Sequence, residues 1–511
     1  MMKGTYNMNY RETGILLPIS SLPSKYGIGT MGKAAYEFID FLNESGAKMW
    51  QILPLNVTSY GNSPYQSPSN YGLNYNFIDL DLLIKQKLLT KEEVESIDWL
   101  DEESRINYGK IFNKKLKVLR LAYSRFDKAN KRFQRFANEN EQLKDFSIFM
   151  VLKDLNNLRP WYEWDDEYRI YSKEIENKIY EEHKEEFMFY MWTQFEFINE
   201  YSKLKKYANK KGIKIMGDLP IYVAFDSVEV WKYPELFELD ENHYPINVAG
   251  CPPDCFSVDG QLWGNPLYNW EYHKESGYKW WNSRISNALN LFDLVRIDHF
   301  RGFSAYYSIP FGDKTAKNGR WVKGPGIDLF KDKLDLNIIA EDLGMVDEEF
   351  EKLMKETGYP GMKIVTQCFE NDDPTNIWRP SNYGENFFSY TGTHDSQTTK
   401  QFIDESTNKG KALINKVIEE ECIALHIPYK EGMDNKELTL KIVELNIASK
   451  AKMAVIPIMD LYAIGKEGRI NFPSKLSDDN RSWRLTKELF DSKKHKIAEN
   501  LKVFIEKYNR R

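Results

Sequence analysis

Cysteine is scarce. The 511-residue chain has four, Cys251, Cys255, Cys368 and Cys422, too few for a disulfide framework in a chain this long. The spacing in Cys251-Pro-Pro-Asp-Cys255 fits half of a zinc site, but no second Cys or Cys/His pair supplies the missing ligands, so loop thiols and no metal are expected. Long apolar runs are absent too. Residues 1–11 are polar, and the apolar run at 15–19 is too short for a signal-peptide core or a membrane span, so a cytoplasmic location without a membrane partner is expected. Positive charge is not in excess: 70 Lys and Arg against 76 Asp and Glu leave a formal net charge of −6. Such a chain has no field to hold a phosphate backbone, which argues against nucleic acid as a partner. Sequence repeats, low-complexity tracts and coiled-coil heptads are also missing.

What the chain does have is aromatic residues. Thirteen Trp, 31 Tyr and 29 Phe make 14% of the sequence, rich enough to line surface clefts with rings, whose flat apolar faces suit sugars and nucleobases alike. The negative charge disfavours the nucleobases. The length allows two to four domains or one large barrel with insertions.

Hydrophobic patterning favours the barrel. Residues 14–20 are a short apolar run ending in a loop punctuated by Gly and Pro. A helical pattern follows, with Ala34, Phe38, Phe41 and Leu42 on one face and Gly46 ending it, then a second apolar run at 49–55. Continuous apolar strands joined by a helix point to parallel pairing with both sheet faces covered. Further runs of this kind lie at 214–223, 292–300, 337–344, 362–369, 387–395 and 453–460. Eight parallel strands close a (β/α)8 TIM barrel.

Unequal spacing divides the chain. Residues 1–55 carry strands one and two; 56–213, too long for a bare loop, form an inserted and mainly helical subdomain. The third strand occupies 214–223. Residues 224–291, rich in Pro, Gly, Asn and Trp and poor in helix pattern, are a loop-rich insertion bordering the active site. Strands four to seven lie in 292–395, a helical insertion in 396–450, and strand eight with a charged C-terminal helix in 451–511.

The chemistry of such a barrel sits at the C-terminal ends of its strands. Asp298, Glu341 and Asp395 hold such positions on strands four, five and seven and would converge on one mouth, each beside another polar group (Arg296, Asp342, His394). Several carboxylates in a ring-lined cleft, with no phosphate loop, fit glycosidic bond chemistry. Asp298 suits the ionised attacking role, because Arg296 leaves the same strand face and favours its charged form. Glu341 follows Ile338-Ile-Ala340 and suits the proton donor, since partial desolvation raises an acid toward working pH.

These residues carry a resemblance. Arg296-Ile-Asp298-His-Phe-Arg-Gly302, Ala340-Glu-Asp-Leu-Gly344 and Tyr390-Thr-Gly-Thr-His-Asp395 resemble signatures of the 4-α-glucanotransferases called amylomaltases or disproportionating enzymes, glycoside hydrolase family 77, relatives of the α-amylases. Gly14-Ile-Leu-Leu, Ser21-Leu-Pro-Ser-Lys-Tyr-Gly-Ile-Gly29, Trp50-Gln-Ile-Leu-Pro-Leu55, Ser63-Pro-Tyr-Gln-Ser67, Gly217-Asp-Leu-Pro-Ile-Tyr-Val223 and Gly260-Gln-Leu-Trp-Gly-Asn-Pro-Leu-Tyr268 are similar to family stretches in the same order. The resemblance implies Asp298 as nucleophile, Glu341 as acid/base and Asp395 as transition-state stabiliser. It implies Arg296 and His394 supporting the donor sugar, Tyr60 stacking on it, and Asp218, Gln261, Trp263 and Asn471 contributing to the glucan groove. The family fold is a barrel with helical insertions and without the C-terminal β-domain of amylases. Malto-oligosaccharides and α-1,4-glucans are the implied donors and acceptors, with no cofactor and a monomer or weak homo-oligomer expected.

Some residues depart from the family pattern. Cys255 stands where tyrosine is common, on a loop over the acceptor side; Gly72-Leu-Asn-Tyr replaces Gly-Asn-Pro. Ile458-Met-Asp460 lacks a glutamine before the aspartate, Asn471-Phe-Pro-Ser474 ends in serine, and Asp479-Asn-Arg-Ser-Trp-Arg484 loosens a tryptophan-rich motif. They bear on acceptor preference and chain length, not on the three acids. The leading expectation is retaining transfer of a glucan segment to the 4-hydroxyl of glucose or a malto-oligosaccharide. The alternatives are an α-amylase-type retaining hydrolase and a non-catalytic glycan-binding protein.

Overall fold

The computed structural model of the chain describes residues 11–253, 257–473, 475 and 477–510, and the backbone alone of Tyr60. Eight parallel strands run in chain order around one sheet: Glu12–Leu16, Met49–Gln51, Lys214–Leu219, Leu294–Ile297, Ile338–Ala340, Gly361–Ile364, Phe387–Tyr390 and Met453–Pro457. The last pairs with the first, Ile15 beside Ile456. Between the fifth and sixth strands the seam is held by Ala340 N–H donating to Pro360 O at 3.0 Å and by Met362 N–H donating to the Asp342 carboxylate at 2.6 Å. The sheet is a (β/α)8 barrel, and its strands read as unbroken apolar runs because both faces are covered.

The helix Lys33–Ser45 buries Phe38, Phe41 and Leu42 and stops at Gly46, whose φ of 81° is the left-handed conformation glycine tolerates. Phe38 packs on Trp50 of the second strand at 5.0 Å, and Phe41 meets Phe490 of the C-terminal helix Lys487–Lys507 at 5.8 Å. The ring of barrel helices is thus closed by the chain's two ends. Within residues 56–213 the longest element is Lys184–Lys210, a helix whose buried side carries Phe187, Tyr190, Trp192 and Phe197 and which delivers the chain to the third strand. Helices Thr399–Glu405, Asn408–Ala424 and Asn435–Ala448 occupy 396–450 and enclose a separate small core around Ile418 and Ile442.

Three features depart from the expectation. Residues 224–291 are not poor in helix: they contain Val228–Lys232, Trp270–Glu275 and Lys279–Leu291. The buried face of the last is Trp281, Arg284, Ile285 and Ala288, so a charged residue interrupts the apolar period that would have revealed it. Arg284 is buried because its guanidinium satisfies the carbonyls of Pro220 and Ile221. The second feature is a four-stranded antiparallel sheet outside the barrel, Gln261–Pro266, Asn247–Cys251, Ala305–Pro310 and Arg320–Lys323 in spatial order. Two of its strands lie between the fourth and fifth barrel strands, in the segment assigned to barrel strands alone. The sixth barrel strand also stops at Ile364, and Val365–Glu370 is a 3-10 turn.

The third strand tolerates no side chain at Gly217, where a Cβ would sit 2.2 Å from the Phe292 ring. Gly217→Ala is expected to cost about 1–3 kcal/mol through overpacking, read as a lowered Tm; an unchanged Tm would refute the tight packing of Phe292 on this strand.

Candidate active site

Strand register decides which side chains meet at the barrel mouth. Asp218 lies beside Arg296 in the ladder of the third and fourth strands, and Ile297 beside Ala340 in that of the fourth and fifth. Aligned residues of parallel neighbours face one side and alternate residues share a face. Arg296 and Asp298 therefore point together, and Glu341, one step past Ala340, points with Asp298. The ladder continues through both acids, with Asp298 N–H on Leu219 O at 3.0 Å and Glu341 N–H on Ile297 O at 3.1 Å. A cleft of about 2010 Å³ opens here, lined by Arg296, Asp298, His299, Glu341, Asp395 and Asn471.

Arg296 is buried between two carboxylates. Its Nη1 donates to both oxygens of Asp218 at 2.8 Å, and its Nη2 lies 2.9 Å from Asp298 Oδ1. The Asp218 side chain is fully buried while that of Asp298 keeps 29% of its surface, so of the two only Asp298 is open to a ligand. Burial opposes the arginine's charge, but the carboxylates outweigh it and hold the guanidinium well above its ordinary pKa.

From Asp218 the network crosses the mouth. Tyr65 donates its hydroxyl proton to Asp218 Oδ2 at 2.7 Å, and the Tyr65 hydroxyl oxygen lies 2.9 Å from His394 Nε2, the tyrosine and histidine rings stacked 5.8 Å apart. His394 Nε2 is also 3.2 Å from Asp395 Oδ2, and Asn471 Nδ2 donates to Asp395 Oδ1 at 2.6 Å. Enclosure alone would push the imidazole pKa down and the Asp395 pKa up; their mutual attraction reverses both, raising His394 and, with the Asn471 hydrogen bond, holding Asp395 well below the usual carboxylate range.

Glu341 has a different environment. It is buried, and its two oxygens accept main-chain N–H groups, Oε2 from His299 at 2.8 Å and Oε1 from Leu343 at 2.8 Å. His299 presents its amide because its φ of 46° turns the chain into the left-handed region straight after Asp298. Burial is the largest influence on Glu341; with the Asp298 charge it outweighs Arg296 and the two amides and raises the carboxyl to about 7. A site with one carboxylate ion-paired and open and another near half-protonation at neutral pH holds a nucleophile and a proton donor side by side.

Nine of the ten site residues read from the sequence can be located. Asp298, Arg296, Asp218, His394, Asp395 and Asn471 form the connected network above, and Glu341 stands beside Asp298, held by main-chain amides. Gln261 and Trp263 come from the antiparallel sheet, line the same cleft and join through Trp263 Nε1–H to Gln261 Oε1 at 3.1 Å. Trp263 meets His299 edge-on at 5.0 Å. The Tyr60 side chain and Cys255 lie outside the described residues; Cys251 ends the strand Asn247–Cys251. Two residues escape the sequence reading. Tyr65 stands within the family-like run Ser63-Pro-Tyr-Gln-Ser67, yet nothing in one sequence says that its hydroxyl bridges Asp218 and His394. Asp460 is noted only for its neighbours, but its buried carboxylate accepts Thr391 Oγ1 at 2.5 Å, Thr399 Oγ1 at 2.7 Å and Thr399 N–H at 2.8 Å. It thereby braces both ends of the turn that presents His394 and Asp395.

Comparison with known proteins identifies the family. The family described as 4-alpha-glucanotransferase matches residues 17–489. The 4-alpha-glucanotransferase of Clostridium butyricum is 44% identical over 92% of this chain and 96% of its own length. That of Thermus thermophilus is 39% identical over 93% of this chain and 95% of its own. Among solved structures, an amylomaltase from Streptococcus agalactiae in complex with acarbose superposes with a TM-score of 0.92 at 38% identity, covering 98% of this chain and 99% of that one. On a mouth carrying three acids and on a likeness that runs nearly end to end, this chain belongs to the 4-alpha-glucanotransferase family.

Proposed function

We propose that the chain transfers a segment of a 1,4-α-D-glucan to the 4-hydroxyl of glucose or a malto-oligosaccharide by retaining double displacement. The observation that carries the mechanism is the contrast between two neighbouring acids, Asp298 ion-paired to Arg296 and open to the cleft, Glu341 buried with its pKa near 7. In the first step the Asp298 carboxylate attacks the anomeric carbon. Glu341 gives its proton to the departing 4-oxygen, and a covalent glucosyl-enzyme forms. In the second, Glu341 takes the proton of the acceptor 4-hydroxyl, whose oxygen displaces Asp298 and restores the starting configuration. Asp395, kept anionic by His394 and Asn471, holds sugar hydroxyls and the developing positive charge at the ring. Gln261 and Trp263 line the groove, Arg296 and His394 support the donor sugar, Tyr60 is assigned to stack on it, and Asp218 contributes through Arg296 and Tyr65.

Transfer rather than hydrolysis requires that the intermediate be shielded from water until a sugar arrives. The segment 248–264, which carries Gln261 and Trp263 beside the acids, is the part of the wall suited to that shielding. Curated relatives covering over nine-tenths of this chain are named transferases, which favours transfer. Among the described residues no helix is long and apolar enough to cross a membrane. With cysteine scarce, a cytoplasmic enzyme handling maltodextrin- or glycogen-type glucans, as a monomer or weak homo-oligomer, is the setting we favour.

Incubation with maltotriose is expected to give free glucose together with a ladder of longer chains; glucose and maltose without longer products would make the enzyme a hydrolase. Asp298→Asn should lower transfer by at least about a thousandfold with glucan binding retained, and full activity in that variant would remove Asp298 from the nucleophile role. The proton donor is tested by pH. Glu341 must be neutral to protonate the leaving oxygen, and its charged fraction grows as pH rises through about 7. The kcat/KM for maltotriose should therefore fall on the alkaline side with an apparent pKa near 7, a value belonging to the coupled carboxyls. With α-maltosyl fluoride, whose leaving group needs no proton, that limb should vanish from the first step. A limb persisting with the fluoride would assign it to a different group.

A further inference from the structure

On the side where the helical insertion meets the antiparallel sheet, the same cleft is lined by Tyr162 and Phe225. These two rings stack at 4.4 Å with their planes 7° apart. Tyr244 joins them at 6.1 Å from Tyr162 and 5.9 Å from Phe225, and Phe311 closes the group at 6.1 Å from Phe225 and 6.2 Å from Tyr244. The four rings come from four separate stretches of chain, and none is fully buried; Phe311 keeps 45% of its surface exposed. A cluster of partly exposed rings is not what a core needs. Among the described residues no hydrogen bond or ring contact joins it to Asp298, Glu341 or Asp395.

The cluster is held rigid from beneath. Trp161 donates its N–H to Asp226 Oδ1 at 3.0 Å and its indole N–H to Phe225 O at 2.7 Å, and Lys153 Nζ pairs with Asp226 Oδ2 at 2.5 Å. Tyr162 and Phe225 are thereby fixed to each other through the chain segments that carry them. Lys153 and Asp226 line the cleft beside these rings. Preordered flat faces next to an ammonium and a carboxylate suit a pyranose, whose C–H face stacks while its hydroxyls hydrogen-bond at the edge. Rigid rings also lose little conformational entropy on binding.

We propose that Tyr162, Phe225, Tyr244 and Phe311, with Lys153 and Asp226 at their edge, form a remote platform that holds the α-1,4-glucan chain away from the acids and makes binding depend on chain length. The ligand class rests on the glucan-transfer reading; the cleft's continuity from the acids to Tyr162 and Phe225, which Tyr244 and Phe311 adjoin, is what commits the platform to the same chain. A short glucan bound at the acids leaves the platform unused, whereas a long one engages both.

Binding of maltoheptaose and of maltotriose is measured by calorimetry on the full chain carrying Asp298→Asn, with and without Tyr162→Leu plus Phe311→Leu, which keep apolar bulk but remove flat faces. Loss of two stacking faces is expected to weaken maltoheptaose about tenfold relative to maltotriose. Equal weakening of both glucans, or none, overturns the platform. Phe311→Ser alone, at an exposed position, repeats the comparison if the double variant does not fold, with the same direction expected. Failure of the glucan-transfer reading would show separately, as an unsubstituted protein that gives glucose and maltose from maltotriose without longer chains.

Discussion

A guanidinium buried at the heart of the barrel mouth needs anions on more than one side, and Arg296 has them in Asp218 and Asp298. Removing one partner of such a buried pair leaves an uncompensated charge, on the order of 3–5 kcal/mol in comparable cases. The rest of the site is arranged around that constraint. The register of the third and fourth strands sets Asp218 against Arg296. Tyr65 then satisfies Asp218, His394 satisfies Tyr65, and Asp395 balances His394. One electrostatic chain thus ties the loop after strand two to the ends of strands three, four and seven.

The same arrangement divides work among three carboxyls that differ little in intrinsic chemistry. Asp298 is left open on a cation, Asp395 is kept anionic by an imidazole and an amide, and Glu341 is enclosed with only main-chain donors at its oxygens. Main-chain N–H groups carry no full charge, so they hold Glu341 in place without forcing it to ionise. The left-handed backbone of His299 links the two carboxyls, since the turn that follows Asp298 also supplies the amide that fixes Glu341. A barrel can build this because all three groups stand at strand ends whose spacing is fixed by the sheet.

The barrel supplies the acids, but the insertions supply the walls. Trp263 and Gln261 arrive on an antiparallel strand, and the ring group around Phe225 gathers residues from the helical insertion and from one end of that second sheet, where Tyr244 precedes Asn247 and Phe311 follows Pro310. The acids and the rings of the wall thus belong to different layers of the molecule, and the placement of Asp298 and Glu341 follows from the strand register.

Much of this was legible in the residues themselves. Eight apolar runs gave eight parallel strands, because strands covered on both faces leave a continuous hydrophobic trace; the positions of Asp298, Glu341 and Asp395 at strand ends followed from where each trace gave way to charge. The helix Lys279–Leu291 stayed hidden because buried Arg284 breaks its period, and the strand Arg320–Lys323 because a four-residue exposed strand resembles a loop. Tyr65 and Asp460 could be found only in three dimensions, since a hydroxyl or carboxylate acquires its role from partners distant in sequence. The sequence by itself determined which residues could do the chemistry and that a barrel would carry them. Only the tertiary structure decided how far burial raises Glu341 and how His394 and Asn471 hold Asp395 low, because those effects depend on enclosure and on partners brought together from distant stretches of chain.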